Sequence, residues 1–177
     1  MSKPVIRIGV SACLLGEKVR YDGDHRRNSY VAETLAEHFE LVPVCPESEL
    51  GMGVPRETVD LEGDVAKPNM IGTHTRKDWT QSMNSWAQKR IQDLAPLGLC
   101  GFVMKKGSPS CGVFRVPVIQ ENREPLPEGR GLFAMAFINS NPDVPVEDEL
   151  RLEDSRVREE FLKKVYALHS CRHGQNP

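Results

Sequence analysis

The sequence predicts an α/β fold built on a parallel sheet, and three observations carry that reading. Short apolar runs at Val5–Val10, Leu41–Val44 and Leu99–Met104 have the length and punctuation of buried strands. A helical pattern separates each run from the next, giving two crossover units of the kind that join parallel neighbours. Each run also leads into a turn that carries a cysteine: Ser11-Ala12-Cys13, Cys45-Pro46-Glu47, and Ser108-Pro109-Ser110-Cys111. Ligands of open α/β sheets sit at the carboxyl ends of strands, so three thiols placed there point to one site.

After the first strand, the Asp22-Gly23 step marks a turn. Asn28-Ser29 can cap a helix over Tyr30–His38, with Val31, Leu35 and Phe39 on its apolar face. Gly51–Pro55 is a punctuated loop, and Arg56–Leu61 alternates ahead of a Glu62-Gly63 turn. Lys67–Thr75 is expected to be irregular. Arg76–Leu97 is the longest helical pattern, with Trp79, Met83, Trp86, Ala87, Ile91 and Leu94 in its stripe and Pro96-Leu97-Gly98 ending it. Beyond the third strand, Val116–Ile119 is a short strand, Gln120–Gly131 a polar loop and Leu132–Asn139 a buried helix. Val144–Val146 is expected as a last strand. Asp154 caps a charged helix over Ser155–His169 that buries Val157, Phe161, Val165 and Leu168.

The chain of 177 residues suits one ordinary domain, or one domain and an extension. A net charge of −2 gives no field that argues for nucleic acid or membrane. No apolar run is long enough to span a bilayer, and the first residues lack a secretory h-region, so a cytoplasmic protein is expected. Its five cysteines are odd in number and widely spaced, which does not suit a disulfide framework. They are therefore core filler, metal ligands or nucleophiles. Cys100 lies inside a strand and is expected in the core; Cys171 sits in a polar tail.

Neither the compact ferredoxin spacing nor a CxxC zinc knuckle is present, so any shared metal site must be assembled by the fold. Three thiolates around a cubane cluster would leave one iron without a protein ligand, free to act as a Lewis acid on a substrate atom. One zinc ion held by the same thiolates and a histidine is the rival, with His25 the nearest candidate. Glu47, two residues after Cys45, can serve as a general base towards water or be an ordinary loop carboxylate. Ser108 and Ser110 can be turn residues or donors to a substrate. Lys105 and Lys106 would favour a thiolate or contact a polar ligand if they face the site. Asp22 and Arg56 have surface roles as their plain alternatives.

Taken together, Val10-Ser11-Ala12-Cys13-Leu14-Leu15-Gly16, Arg20-Tyr21-Asp22-Gly23, Pro43-Val44-Cys45-Pro46-Glu47, Gly53-Val54-Pro55-Arg56 and Ser108-Pro109-Ser110-Cys111-Gly112 resemble the TudS-type thiouracil desulfidases over roughly Ile6 to Val146. The resemblance implies a Rossmann-like three-layer α/β/α sandwich with a mostly parallel sheet. It implies a [4Fe-4S] cluster held by Cys13, Cys45 and Cys111, with one iron lacking a protein ligand. Glu47 matches the family's catalytic acid/base and Ser108 its catalytic serine; Asp22, Arg56, Lys105 and Ser110 are candidates for substrate contact. The implied reaction is a non-redox exchange of C=S for C=O on a thiolated pyrimidine (2- or 4-thiouracil, or a thiolated nucleoside), releasing hydrogen sulfide. A thiouridine in tRNA stays open as substrate, as does assembly into a homo-oligomer. The loop Ser48–Gly53 departs from many single-domain relatives, which bears on the substrate.

In longer relatives the stretch Pro145–Leu152 resembles a joint to a helical second domain of the YbgA type. Residues 1–150 are thus expected to form the desulfidase domain. Residues 151–177 are expected to be a charged helix, a linker or the start of a C-terminal helical domain missing from this chain. Two other classes stand beside the desulfidase: a cluster-dependent sulfur-transfer or redox enzyme, and a non-catalytic metal-binding module serving such a domain.

Overall fold

The computed structural model describes residues 5–174. Its frame is a four-stranded, all-parallel sheet made by β1 (Arg7–Ser11), β2 (Glu40–Val44), β5 (Gly101–Met104) and β8 (Val146–Asp148), in the order β2-β1-β5-β8. The chain leaves β1 for β2 on one side and returns to β5 on the other. The carboxyl ends of β1 and β5 therefore flank the point where strand order reverses, the usual ligand crevice of such sheets.

Alternation along the strands decides what covers each face. Phe102 and Met104 of β5 pack with Ala87, Ile91 and Leu94 of α2 (Thr80–Leu94), and with Phe133 and Phe137 of α3 (Leu132–Ser140). Ile8, Val10 and Val103 point the other way. They pack with Val31, Leu35 and Phe39 and with Phe161 and Val165 of α4 (Ser155–Arg172). Helices thus lie on both faces, as a three-layer α/β/α arrangement requires. Gly9 lets the layers close, since a Cβ there would stand 2.5 Å from the Phe102 ring.

A second four-stranded sheet accompanies the first. It is made by β3 (Val59–Glu62), β4 (Asn69–Gly72), β6 (Val116–Ile119) and β7 (Pro125–Gly129), in the order β4-β3-β6-β7. Only the β3–β6 pairing is parallel. Val59, Leu61, Met70, Val116 and Val118 pack against Met83 of α2 and Leu132 of α3, so these two helices are shared by both sheets.

Two strands of this second sheet lie where the sequence pattern predicts irregular chain. β4 falls within Lys67–Thr75 and is held by its antiparallel register with β3. β7 falls within Gln120–Gly131; it is an edge strand, where its prolines remove no interior ladder bond. Residues 76–79, expected as helix, instead finish the β4 hairpin: Gly72 donates its N–H to Lys77 O and Trp79 its N–H to Met70 O. Asp78 Oδ1 then accepts Thr80 N–H at 2.8 Å, and α2 begins.

Other bounds move by small steps. The first strand is Arg7–Ser11, and the last, Val146–Asp148, starts two residues later than the expected Val144. The Tyr30–His38 helix is a π turn at Tyr30–Thr34 followed by a 3₁₀ turn at Leu35–Glu37. Asp154 caps α4 as expected, accepting Arg156 N–H at 2.8 Å. Among the described residues no helix is long and apolar enough to cross a membrane.

Candidate functional site

The carboxyl ends of the parallel strands open on a cleft of about 340 Å³. Its lining includes Cys13, Cys45, Cys111, Glu47, Arg56, Lys105 and Ser108. The volume lies at the small end of the about 300–1,000 Å³ typical of small-molecule sites.

Each thiol arrives there for a local reason. Cys13 belongs to the 3₁₀ turn Ala12–Leu15 that directly follows β1 and is closed by Gly16 in the left-handed region. Cys45 is the extended residue between β2 and the short helix α1 (Pro46–Glu49), whose first position is proline, as favoured there. Glu49 Oε1 accepts the Cys45 N–H at 3.1 Å, and Glu49 Oε2 lies 2.8 Å from Arg90 Nε of α2. Cys111 ends the loop after β5. Ser108 Oγ accepts the N–H groups of Ser110 and Cys111 at 3.2 and 3.0 Å. The first residues of α3 hold the same loop, as Leu132 N–H and Ala134 N–H donate to Pro109 O and Ser110 O. Gly112 and Gly131 are required by close approach rather than by an unusual φ. A Cβ on Gly112 would stand 2.7 Å from Ser108 O, and one on Gly131 2.4 Å from the Ser110 carbonyl carbon.

Burial dominates the ionisation of all three thiols. It pushes Cys13 from the ordinary 9.0 up to about 11, with the nearby Cys45 adding to the rise and Arg20 and Lys105 opposing it. It likewise raises Cys45, against a hydrogen bond with the Ser48 backbone. Burial also raises Cys111 well above the ordinary thiol value, although Ser11 bonds its sulfur; Cys45 and Cys13 both add to the rise. The three cysteines line the same cleft. Among the described residues, however, no three His, Cys, Asp or Glu side chains close on a single metal ion. Tetrahedral zinc, with bonds of about 2.3 Å, would need its sulfurs about 3.8 Å apart. A thiol-only set spread around a common cleft fits the separated corners of a multi-iron cluster better than one zinc ion. A cation there would replace the protons that burial now favours.

Beside the thiols stands a buried ionic network. Glu47 Oε2 accepts Arg56 Nε–H and Nη2–H at 3.0 and 2.8 Å, and Glu47 Oε1 accepts the Ser110 hydroxyl at 2.8 Å. The Arg56 side chain is 6% exposed and that of Glu47 15%. Arg56 is itself anchored by Gly53 O at 2.8 Å. A carboxylate offers about four acceptor positions; three are occupied here, leaving one on a side chain that lines the cleft. The two backbone N–H groups on Ser108 Oγ use its acceptor positions, so its hydroxyl is left to donate.

The structure separates the candidate residues into groups. Cys13, Cys45, Cys111, Glu47, Arg56, Lys105 and Ser108 meet at the cleft. Ser110 does not line it; its side chain is buried and turned onto Glu47, so it supports the carboxylate rather than a ligand. Asp22 does not line it either. Its Oδ1 accepts Asp24 N–H at 3.1 Å and shapes the turn after Tyr21. His25 also stands apart, its Nδ1 accepting Arg27 N–H at 3.1 Å. Contributors missed in the sequence pattern include Arg20, Arg26 and Thr58, which line the cleft, and Glu149, which holds Lys105. Arg20 belongs to the Arg20-Tyr21-Asp22-Gly23 motif that carries the resemblance, a signal within reach, whereas Arg26, Thr58 and Glu149 carry none.

Three comparisons bear on this arrangement. A structure of TudS, a [4Fe-4S]-dependent thiouracil desulfidase, superposes with a TM-score of 0.66 at 25% identity, covering 88% of this chain and 98% of that one. The uncharacterized protein YbbK of Bacillus subtilis (strain 168) is 29% identical over 108 residues, which are 58% of this chain and 71% of YbbK. The model of the 2-thiouracil desulfurase family matches residues 8–149, a span that holds the whole cleft. The chain thus belongs to the 2-thiouracil desulfurase family, enzymes that act on a carbon–sulfur bond.

Proposed function

We propose that this protein desulfurises a thiolated pyrimidine, replacing C=S by C=O with one water consumed and hydrogen sulfide released. The observation that carries the reading is the meeting of three strand-end thiols with the Glu47–Arg56–Ser110 network in one small cleft. Cys13, Cys45 and Cys111 would hold a [4Fe-4S] cluster, leaving one iron without a protein ligand. When bound, the cluster supplies a Lewis acid that draws electron density from a thione sulfur and makes its carbon electrophilic.

The chain's own groups do the rest. Glu47, fixed by Arg56 and Ser110, uses its remaining acceptor position to take a proton from a water aimed at that carbon. Ser108, whose hydroxyl can only donate, binds an acceptor atom of the heterocycle and orients the ring; that bonding pattern makes it a poor proton relay. Val19, Val44 and Val59 give the cleft apolar wall for the flat face of a pyrimidine. The oxidation states of substrate carbon and sulfur do not change, so no electron donor or acceptor is needed. Residues 1–150 contain every group used. The charged helix within 151–177 buries Phe161 and Val165 against the parallel sheet.

Anaerobic reconstitution with iron and sulfide, followed by sulfide-release assays on 2-thiouracil, 4-thiouracil, thiouridine and thiolated tRNA, tests the proposal. About four irons per chain and release from a free base or nucleoside are expected. Glu47→Gln should keep the iron and lose turnover. A Glu47→Gln protein with full activity refutes the base, and a protein that binds zinc but no iron refutes the cofactor.

A further inference from the structure

Glu149 lies just beyond β8 and is 6% exposed. Both of its oxygens are directed at the segment that follows β5. Oε1 accepts Lys105 Nζ–H at 2.5 Å and Oε2 accepts Lys106 N–H at 2.7 Å. The Lys105 ammonium also donates to Lys106 O at 3.0 Å. An ammonium has three donors; two are used on the protein, and Lys105 itself lines the cleft. Ser11 and Cys13 line that cleft as well, at the end of β1. Ser11 Oγ, which accepts Lys105 N–H at 2.9 Å, fixes the backbone beneath it. A lysine stem is flexible and its head is strongly hydrated. Without a buried carboxylate behind it, this ammonium would turn out to solvent.

We propose that Glu149 is a positioning residue that holds one Lys105 N–H towards the cleft, where it donates to the carbonyl oxygen of the bound thiopyrimidine. The assignment rests on the desulfidase reading above. Thiouracil carries one thione, where the chemistry occurs, and one carbonyl, which undergoes no net change. A donor on that carbonyl fixes which ring carbon faces Glu47 and contributes mainly to binding.

Steady-state kinetics with 2-thiouracil on the reconstituted full chain, as wild type, K105M, E149Q and the double variant, tests this. K105M and E149Q should each raise KM about tenfold, the effect of one charge-assisted hydrogen bond. kcat should change far less, and iron per chain should not change. The double variant should match K105M, because Glu149 acts only through Lys105. E149D keeps the charge but shortens the reach; its KM should fall between wild type and E149Q, and it carries the test if E149Q does not fold. Additive losses in the double variant, loss of iron, or a fall in kcat at constant KM overturns the proposal while the desulfidase reading stands. A wild-type protein that holds iron but leaves every thiopyrimidine untouched overturns the desulfidase reading and this one with it.

Discussion

Ser110→Ala removes a single hydroxyl from the support of Glu47 and leaves the loop's main chain intact. Ser110 N–H still donates to Ser108 Oγ, and Ser110 O still accepts from Ala134 N–H. What is lost is the 2.8 Å bond to Glu47 Oε1. A hydrogen bond to a charged group contributes about 1.5–3 kcal/mol. Glu47 keeps both Arg56 bonds and its side chain is 15% exposed, so water can reach the vacated position. The lower end, about 1.5 kcal/mol, is therefore expected. For a chain of this length it lowers the melting temperature by about 3–6 °C. If the bond also aims the carboxylate at the attacking water, the same energy appears in the barrier and kcat falls about tenfold. Thermal unfolding and sulfide release, measured on the same reconstituted preparation, separate the two effects. A melting point lowered as expected with an unchanged kcat would refute the aiming role. Loss of iron in this variant would show instead that the loop carrying Cys111 had moved.

Three further outcomes follow from the same geometry. Cys13→Ser, Cys45→Ser and Cys111→Ser should each lose most of the iron, whereas Cys100→Ser and Cys171→Ser should retain it; iron counts after anaerobic reconstitution decide. Gly131→Ala places a Cβ 2.4 Å from the Ser110 carbonyl carbon, and an overpacked junction of α3 and the thiol loop costs about 1–3 kcal/mol. Denaturant unfolding should register that loss, and a Gly131→Ala protein as stable as wild type would contradict the packing described. Burial and the neighbouring His173 hold His169 below the usual 6.5, beside Cys100 Sγ at 3.9 Å. Because the folded state disfavours the added proton, its contribution to stability is present above about pH 6.5 and is lost as pH falls through the folded value. His169→Phe should show a shallower decline in melting temperature between pH 7 and 5 than wild type.

The parallel strands were legible because local rules suffice for them. A short apolar run, a helical stripe and another apolar run leave little freedom in how the chain returns. Placing Cys13, Cys45 and Cys111 after three such runs already put them at one edge of the sheet. Glu47 followed from its position beside Cys45, and Ser108 from the motif it shares with Cys111. The strands of the second sheet were not equally visible. β4 is only four residues long and β7 carries two prolines, and they exist through pairing with β3 and β6 rather than through any pattern of their own. The same limit hid the partners in the cleft. Ser110 is directed onto Glu47 across 63 positions of chain, and Glu149 onto Lys105 across 44. No periodicity connects such pairs. They meet because β2, β5 and β8 run parallel and deliver their carboxyl ends to one place, where a buried carboxylate must find a donor.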